Sequence, residues 1–264
     1  MARKAKANKN RPIETKVDVK PIEKEIEIEA EIEIEAEVEI EKPAEVEIVE
    51  TKTEDKVVES SVKDRVKKNA EQFTQKYFDE ADCNYKFTGE WQKIYASMIN
   101  RLFPLKDKTT LDIGGAFGAI SMAFTSYGAK ATNLDISKCA IDAKIFKGIN
   151  QIHSSIQNMK KVEDDSMDFV HISHVLNYID NKDLSRSLSE VHRVMKTGSK
   201  CMIIMEFGKV DKTKFQYSQK EIDTVIKSVG FKNITEETKK EIAGLPKSIN
   251  MFNEYKWDFV ILQK

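Results

Sequence analysis

Residues 111–118 read Leu-Asp-Ile-Gly-Gly-Ala-Phe-Gly, and seventeen residues after Gly118 an apolar run ends on the carboxylate of Asp135. Glycines at the end of a strand let the chain turn sharply and let backbone amides approach a ligand with no side chain intervening, while the first turn of a following helix supplies unpaired N–H donors. An acid at the end of the next strand can accept both hydroxyl protons of a ribose. A glycine loop alone is weak evidence. Placed after a strand, before a helix and one βαβ unit ahead of an acidic strand end, it predicts a nucleoside-binding α/β fold.

The loop also discriminates between nucleosides. A dinucleotide fingerprint needs G-x-G-x-x-G, and from Gly114 this chain reads G-x-A-x-x-A. The register Gly114, Ala116, Gly118, with Asp112 two residues before the first glycine, suits a cationic ligand better than a pyrophosphate. The amino group and sulfonium of S-adenosylmethionine are cationic, so the sequence favours that ligand over NAD.

Outward from the loop, short apolar runs alternate with helical patterns. Strands are predicted at 110–114, 129–135, 149–155, 168–173, 200–206, 231–236 and 257–262, and helices at 119–127, 138–147, 182–195 and 219–229. Two further helices, 62–78 and 91–103, precede the first strand, and Pro104 ends the second of them. Such alternation predicts right-handed crossovers and a mainly parallel sheet with helices on both faces. Residues 237–255 are expected to form a loop.

Residues 111–144 resemble the opening of the class I S-adenosylmethionine-dependent methyltransferases, specifically the type 11 group. The similarity resumes at 165–176, 188–198 and 218–231, in the family's order. The resemblance implies a Rossmann-like seven-stranded sheet whose last strand is antiparallel. Carried over by position, Asp112 and the backbone of Gly114, Gly115, Ala116 and Gly118 would hold the methionine end of S-adenosyl-L-methionine. Asp135 would hold the ribose, Ile136 the adenine face, and Ser155 with Ile156 the adenine edge, with Ser173 at the end of the fourth strand. Ala116 stands where the family usually has a second glycine, which is tolerable at negative φ and costly at positive φ. Ser155 stands where many relatives have an acid. Methyl transfer from a sulfonium is an in-line displacement, so alignment and water exclusion are the main tasks and a base is needed only for a protonated acceptor. His174 and Glu206 are the candidates for that base, with Tyr178 beside them. His171 reads as a packed, hydrogen-bonded strand residue and His192 as a solvated one. The segment 73–91 and the residues Met251, Phe252 and Tyr255 are expected to shape the acceptor pocket.

Composition sets the domain boundary. The first 60 residues carry 11 basic and 18 acidic side chains, whereas 61–264 carry 32 basic and 26 acidic. All 22 aromatic residues lie after residue 72, so the opening stretch lacks the large apolar groups a core needs. Within it, EIEIEA occurs twice in tandem from Glu25, and a strand of that pattern would stack carboxylates along one face. We therefore expect a disordered acidic tail over 1–65, with no identified partner, and a methyltransferase domain over 66–264. No window approaches 18 apolar residues and the N-terminus lacks an apolar signal core, so neither a membrane span nor a secretory signal is expected, and the cytoplasm is the predicted location. Cys83, Cys139 and Cys201 show no metal-ligand spacing, so no metal is expected. A small-molecule acceptor is favoured. A nucleic-acid acceptor would suit the basic balance of 61–264 but lacks a base-flipping motif. A protein acceptor and a silent cofactor-binding scaffold are the remaining alternatives.

Overall fold

The structure, a computed structural model, describes residues 50–80, 89–207, 214–252 and 258–264. The EIEIEA repeat, Cys83, Tyr85, Phe87 and Tyr255 lie outside the described residues. The chain divides into Met1–Glu47 and Ile48–Lys264, and every described residue belongs to the second unit.

Seven strands form one sheet in the order β3-β2-β1-β4-β5-β7-β6. They are β1 (Thr109–Ile113), β2 (Lys130–Asp135), β3 (Asn150–His153), β4 (Met167–Ser173), β5 (Met195–Ile204), β6 (Lys232–Asn233) and β7 (Phe259–Gln263). The first five pair in parallel, and β7 runs antiparallel between β5 and β6. This is the Rossmann-like arrangement predicted. The chain leaves β1 towards β2 and β3, then crosses to β4 on the other side, so the switch point lies where β1 and β4 end.

Alternate residues of each strand serve opposite faces. Val170, Ile172, Cys201 and Ile203 pack beneath α6 (Asn181–Val194) and α7 (Gln219–Val229), joining Leu184, Leu188, Val191, Ile222 and Ile226. Phe169, Met202 and Ile204 face α3 (Glu90–Leu102), α4 (Ala119–Thr125) and α8 (Thr235–Ala243), with Tyr95, Met98, Ile99, Phe124 and Ile242. Strands buried on both faces read as continuous apolar runs, which is why they were legible.

Several boundaries differ from the sequence reading for local reasons. The helix expected at 62–78 is two helices, α1 (Glu50–Ala70) and α2 (Gln75–Glu80), because Thr74 starts a new one by accepting from the Tyr77 amide at 3.4 Å. α1 also begins inside the stretch expected to be tail. The helix expected at 138–147 stops at Asp142, giving α5 (Lys138–Asp142), where Lys144 turns left-handed at φ 47°. The strand expected at 231–236 shortens to two residues, since Asn233 Oδ1 accepts from the Thr235 amide at 3.0 Å and opens α8 in place of the expected loop. Thr235, Thr238 and Ile242 make the buried stripe of that helix. Met251 and Phe252 are buried in the cluster that contains residues of α3 and α8. His192 stands edge-on to Phe231, with ring centroids 4.9 Å apart, and is half-buried where solvation was expected.

Candidate functional site

The glycine loop lies at the switch point, between the ends of β1 and β4. Gly114 N donates to Leu134 O at 2.7 Å, and a methyl group on Gly114 would come within 2.2 Å of Val175 Cγ2, just past β4. Gly115 is constrained by proximity: an added Cβ would lie 2.4 Å from both Asp112 Oδ2 and Asn133 Oδ1. Ala116 has φ 50°, the costly alternative for a residue with a side chain. Two neighbours hold it there. Its N–H donates to Asp135 Oδ2 and its carbonyl accepts from Asn133 Nδ2, each at 2.8 Å. Gly118, left-handed at φ 93°, caps α4.

Asp112, expected to hold the methionine end, sits beneath the loop with 2% exposure. Its Oδ1 lies 2.7 Å from His171 Nδ1 and its Oδ2 accepts from Ser121 Oγ at 3.2 Å. His171 Nε2 lies 2.7 Å from the Tyr95 hydroxyl, and burial, with the charge of Asp112 adding, pushes that phenol well above its usual range. His171 is thus packed and hydrogen-bonded, as its sequence position suggests.

Asp135 ends β2 with both oxygens directed at backbone amides, Oδ2 at Ala116 and Oδ1 at Ser137 N, 2.7 Å away. Burial raises its pKa, and the two amides oppose that rise. Each oxygen keeps a second lone pair, so the group can still accept a hydroxyl proton. Ile136 is half-buried, and its carbonyl lies 3.0 Å from His153 Nε2. Ser155 is buried and forms an isolated bridge with Asn158, and Ile156 belongs to the core cluster with Met159 and Val162. The 157–162 segment that follows them is clamped from α6. Arg186 Nε donates to Gln157 O, Arg193 donates to the carbonyls of Met159 and Val162, and Glu190 accepts from Met159 N.

Over this cradle, Phe78 packs edge-on against Phe117, with centroids 5.0 Å apart, and joins Ala116 and Ala140 in a small apolar cluster. Ser137 Oγ, besides capping α5, donates to Phe73 O at 2.7 Å. The described part of the 73–91 segment therefore lies against the glycine loop and α5.

A second group gathers at the ends of β4 and β5. Ser173, half-buried, pairs with Ile204 at the last step of the ladder. His174 follows with φ 55°, exposed, its Nδ1 3.9 Å from Glu206 Oε1. The part of the ring that is covered lowers the His174 pKa, Glu206 opposes that, and Lys214 and His171 add to it. Lys214 Nζ bonds Glu206 Oε1 at 3.2 Å and lies 5.7 Å above the Tyr178 ring. Buried Asn177 joins the segments: its amide donates to Glu206 O and accepts from Glu206 N, and its carbonyl accepts from Phe215 N.

Tyr95, Asn133, Ser137, Asn177 and Lys214 were not singled out from the sequence. Asn133 had a signal, since it is two residues before Asp135 and so faces the same side of β2. Ser137 had one too, as a serine opening a helix. Tyr95 and Lys214 had none, being joined to the site only by tertiary packing. Among the described residues no group of three or more His, Cys, Asp or Glu could hold a metal, and no helix is long and apolar enough to cross a membrane.

Residues 111–203 match the family described as Methyltransferase domain, which bears out the resemblance read from the sequence. No curated protein sequence matches the chain. Among solved structures, magnesium protoporphyrin IX methyltransferase from Synechocystis PCC 6803, solved with S-adenosylmethionine, superposes with TM-score 0.50 at 16% identity. That alignment covers 64% of this chain and 87% of the other. Phosphoethanolamine N-methyltransferase 2 from Haemonchus contortus, solved with phosphomonomethylethanolamine and S-adenosylhomocysteine, gives TM-score 0.48 at 16% identity, covering 67% of this chain. This chain spans 53% of that enzyme's length. The fold is that of the S-adenosylmethionine-dependent methyltransferases.

Proposed function

We propose that this chain, with its methyltransferase domain at 111–203, binds S-adenosyl-L-methionine at the ends of β1 to β3 and passes the methyl group to a small-molecule acceptor at the ends of β4 and β5. One observation carries the reading: the glycine loop and the Asp135 carboxylate are joined by the Ala116 N–H bond at 2.8 Å, so the two halves of a nucleoside cradle are locked together at the switch point. The residues suit that cofactor. A side chain at Gly114 or Gly115 would collide with Val175, Asp112 or Asn133, so only glycine lets the loop pack this closely on the strand ends, and Asp135 retains lone pairs for a ribose.

When bound, S-adenosylmethionine supplies an electrophilic methyl on a sulfonium. The chain's own residues align and shield. Gly114 to Gly118 present the backbone, Asp135 holds the ribose, and half-buried Ile136 offers an apolar face to the adenine with buried Ser155 at its edge. Phe78 and Phe117 exclude water from one side of the loop. His174, exposed beside Glu206, can take a proton from a hydroxyl or ammonium acceptor. The pair Lys214–Glu206 gives that end both charges, which suits a small acceptor with polar groups of its own.

Calorimetric titration with S-adenosylmethionine tests the cofactor half. Binding in the micromolar range is expected, with at least a tenfold loss in Asp135→Ala, and no binding at hundreds of micromolar would refute it. Incubation of labelled cofactor with fractionated cell extract tests the acceptor half: label in the metabolite fraction supports the reading, and label mainly in RNA, DNA or protein rejects it.

A further inference from the structure

We infer, on the reading just proposed, that His171 is a positioning residue for the methionine half of the cofactor site, acting through Asp112 on the glycine loop. The sheet register sets Asn133, Asp112, His171, Met202 and Ile261 side by side in one row across five strands. That face is otherwise packed with Tyr95, Met98, Phe124, Phe169 and Ile261, so an apolar residue would fit at 171. The row instead buries three polar side chains, none more than 2% exposed, which is unfavourable unless they are bonded for a purpose.

Two of the three bond each other, Asp112 with His171, while Asn133 donates from Nδ2 to the loop carbonyl of Ala116 and leaves its Oδ1 unpaired. The Asp112 carboxylate lies directly under Gly115, so close that a Cβ there would stand 2.4 Å from Oδ2. The two oxygens of the carboxylate turn together about one torsion, and a bond at each end fixes its direction more firmly than either alone. Ser121 on α4 holds Oδ2, and His171 Nδ1 holds Oδ1 at 2.7 Å. The carboxylate oxygen accepts, so Nδ1 is the donor of that bond. The Tyr95 hydroxyl, 2.7 Å from Nε2, stops the imidazole ring from turning away. His171 itself makes no bond to the loop; what it fixes is the carboxylate on which the loop rests, at the half of the cradle that would receive the aminobutyrate and not the ribose.

Two ligands and three variants separate this from general damage. S-adenosylmethionine uses both halves of the cradle, whereas 5′-methylthioadenosine lacks the aminobutyrate. His171→Leu removes the donor to Asp112. His171→Gln places its amide near the Nε2 position and also loses that donor, while His171→Asn keeps an amide near the Nδ1 position. Calorimetry on the full chain is expected to show at least tenfold weaker S-adenosylmethionine binding in the Leu and Gln variants, with 5′-methylthioadenosine changed less than twofold. The Asn variant is expected to stay within threefold of the unaltered protein for both. If the Leu variant does not fold, the Gln and Asn pair decides alone. Folded Gln binding S-adenosylmethionine within twofold of normal, Asn losing as much as Gln, or both ligands weakening in equal proportion would each overturn the inference. An unaltered protein that binds neither ligand overturns the functional reading itself, and this inference with it.

Discussion

At the scale of single residues the glycine loop inverts the usual assignment. Gly115 has no positive φ and is glycine because Asp112 and Asn133 lie against it, whereas Ala116 adopts φ 50° with a methyl group in place. Gly115→Ala would push its methyl to 2.4 Å from two short, buried side chains that cannot retreat, and overpacking of this kind costs about 1–3 kcal/mol. A loss in the upper part of that range is expected from urea denaturation, and an unchanged midpoint would show that the loop relaxes freely. Ala116→Gly is expected to be nearly silent. Relief of about 1–2 kcal/mol of left-handed strain is offset by about 0.5–1 kcal/mol of added chain entropy in the unfolded state and about 0.8 kcal/mol for the buried methyl. The sequence identified Ala116 as the departure that mattered but could not supply the sign of its φ, which depends on bonds from Asn133 and Asp135. His174 carries a further prediction. Burial lowers its pKa, Glu206 opposes that shift and Lys214 adds to it, which favours the neutral imidazole. NMR titration should place it below 6.5, lower still in Glu206→Gln and higher in Lys214→Met; the opposite order would refute the electrostatic account.

At the scale of elements, the strands of the central sheet were legible because burial on both faces makes them apolar runs, while the short helices were not. α5 and α8 have boundaries decided by one left-handed residue and one asparagine turn, and periodicity does not resolve either. The base of the sheet shows what holds β1, β4 and β5 in register. Asp168 on β4 accepts from Thr109 N at 2.9 Å and Thr109 Oγ1 at 2.8 Å on β1, and from Lys196 Nζ at 2.9 Å on β5. Partial burial alone would raise its pKa, but the Lys196 and Thr109 bonds outweigh it and hold the carboxyl at about 2, below its usual 3.8. A depressed carboxylate contributes stability that is present above the unfolded pKa and lost as pH falls through the folded one. Melting temperatures between pH 5 and pH 2 should therefore fall less steeply in Asp168→Asn than in the unaltered protein, with the difference confined to the window from about 4 down to about 2. Parallel curves would mean that the three-strand staple contributes no proton linkage.

At the scale of the whole molecule, composition located a boundary near residue 65 because aromatics and glycines begin after it. What composition could not show is the use made of the residues on either side of it. Val62 is buried, Asn69 Nδ2 donates to Tyr178 O at 2.7 Å, and Arg65 makes a two-pronged bond, at 2.6 and 2.5 Å, to Asp183 near the start of α6. These partners are 118 residues apart in sequence, and Asp183 is 1% exposed while the Arg65 side chain keeps 26% of its surface. We therefore propose that the folding unit begins within α1, at or before residue 62, and not at residue 66. A chain started at residue 66 would leave the Asp183 carboxylate buried without its cation, and breaking a buried pair costs about 3–5 kcal/mol, less here because Arg65 is partly in water. Urea denaturation of 48–264 and 66–264 should then differ by about 2–3 kcal/mol in favour of the longer chain. Arg65→Ala in the full chain should account for most of that difference, and Asp183→Asn should recover part of it by removing the stranded charge. If the two truncations unfold at the same urea concentration, the boundary lies where composition placed it and α1 is an appendage of the fold.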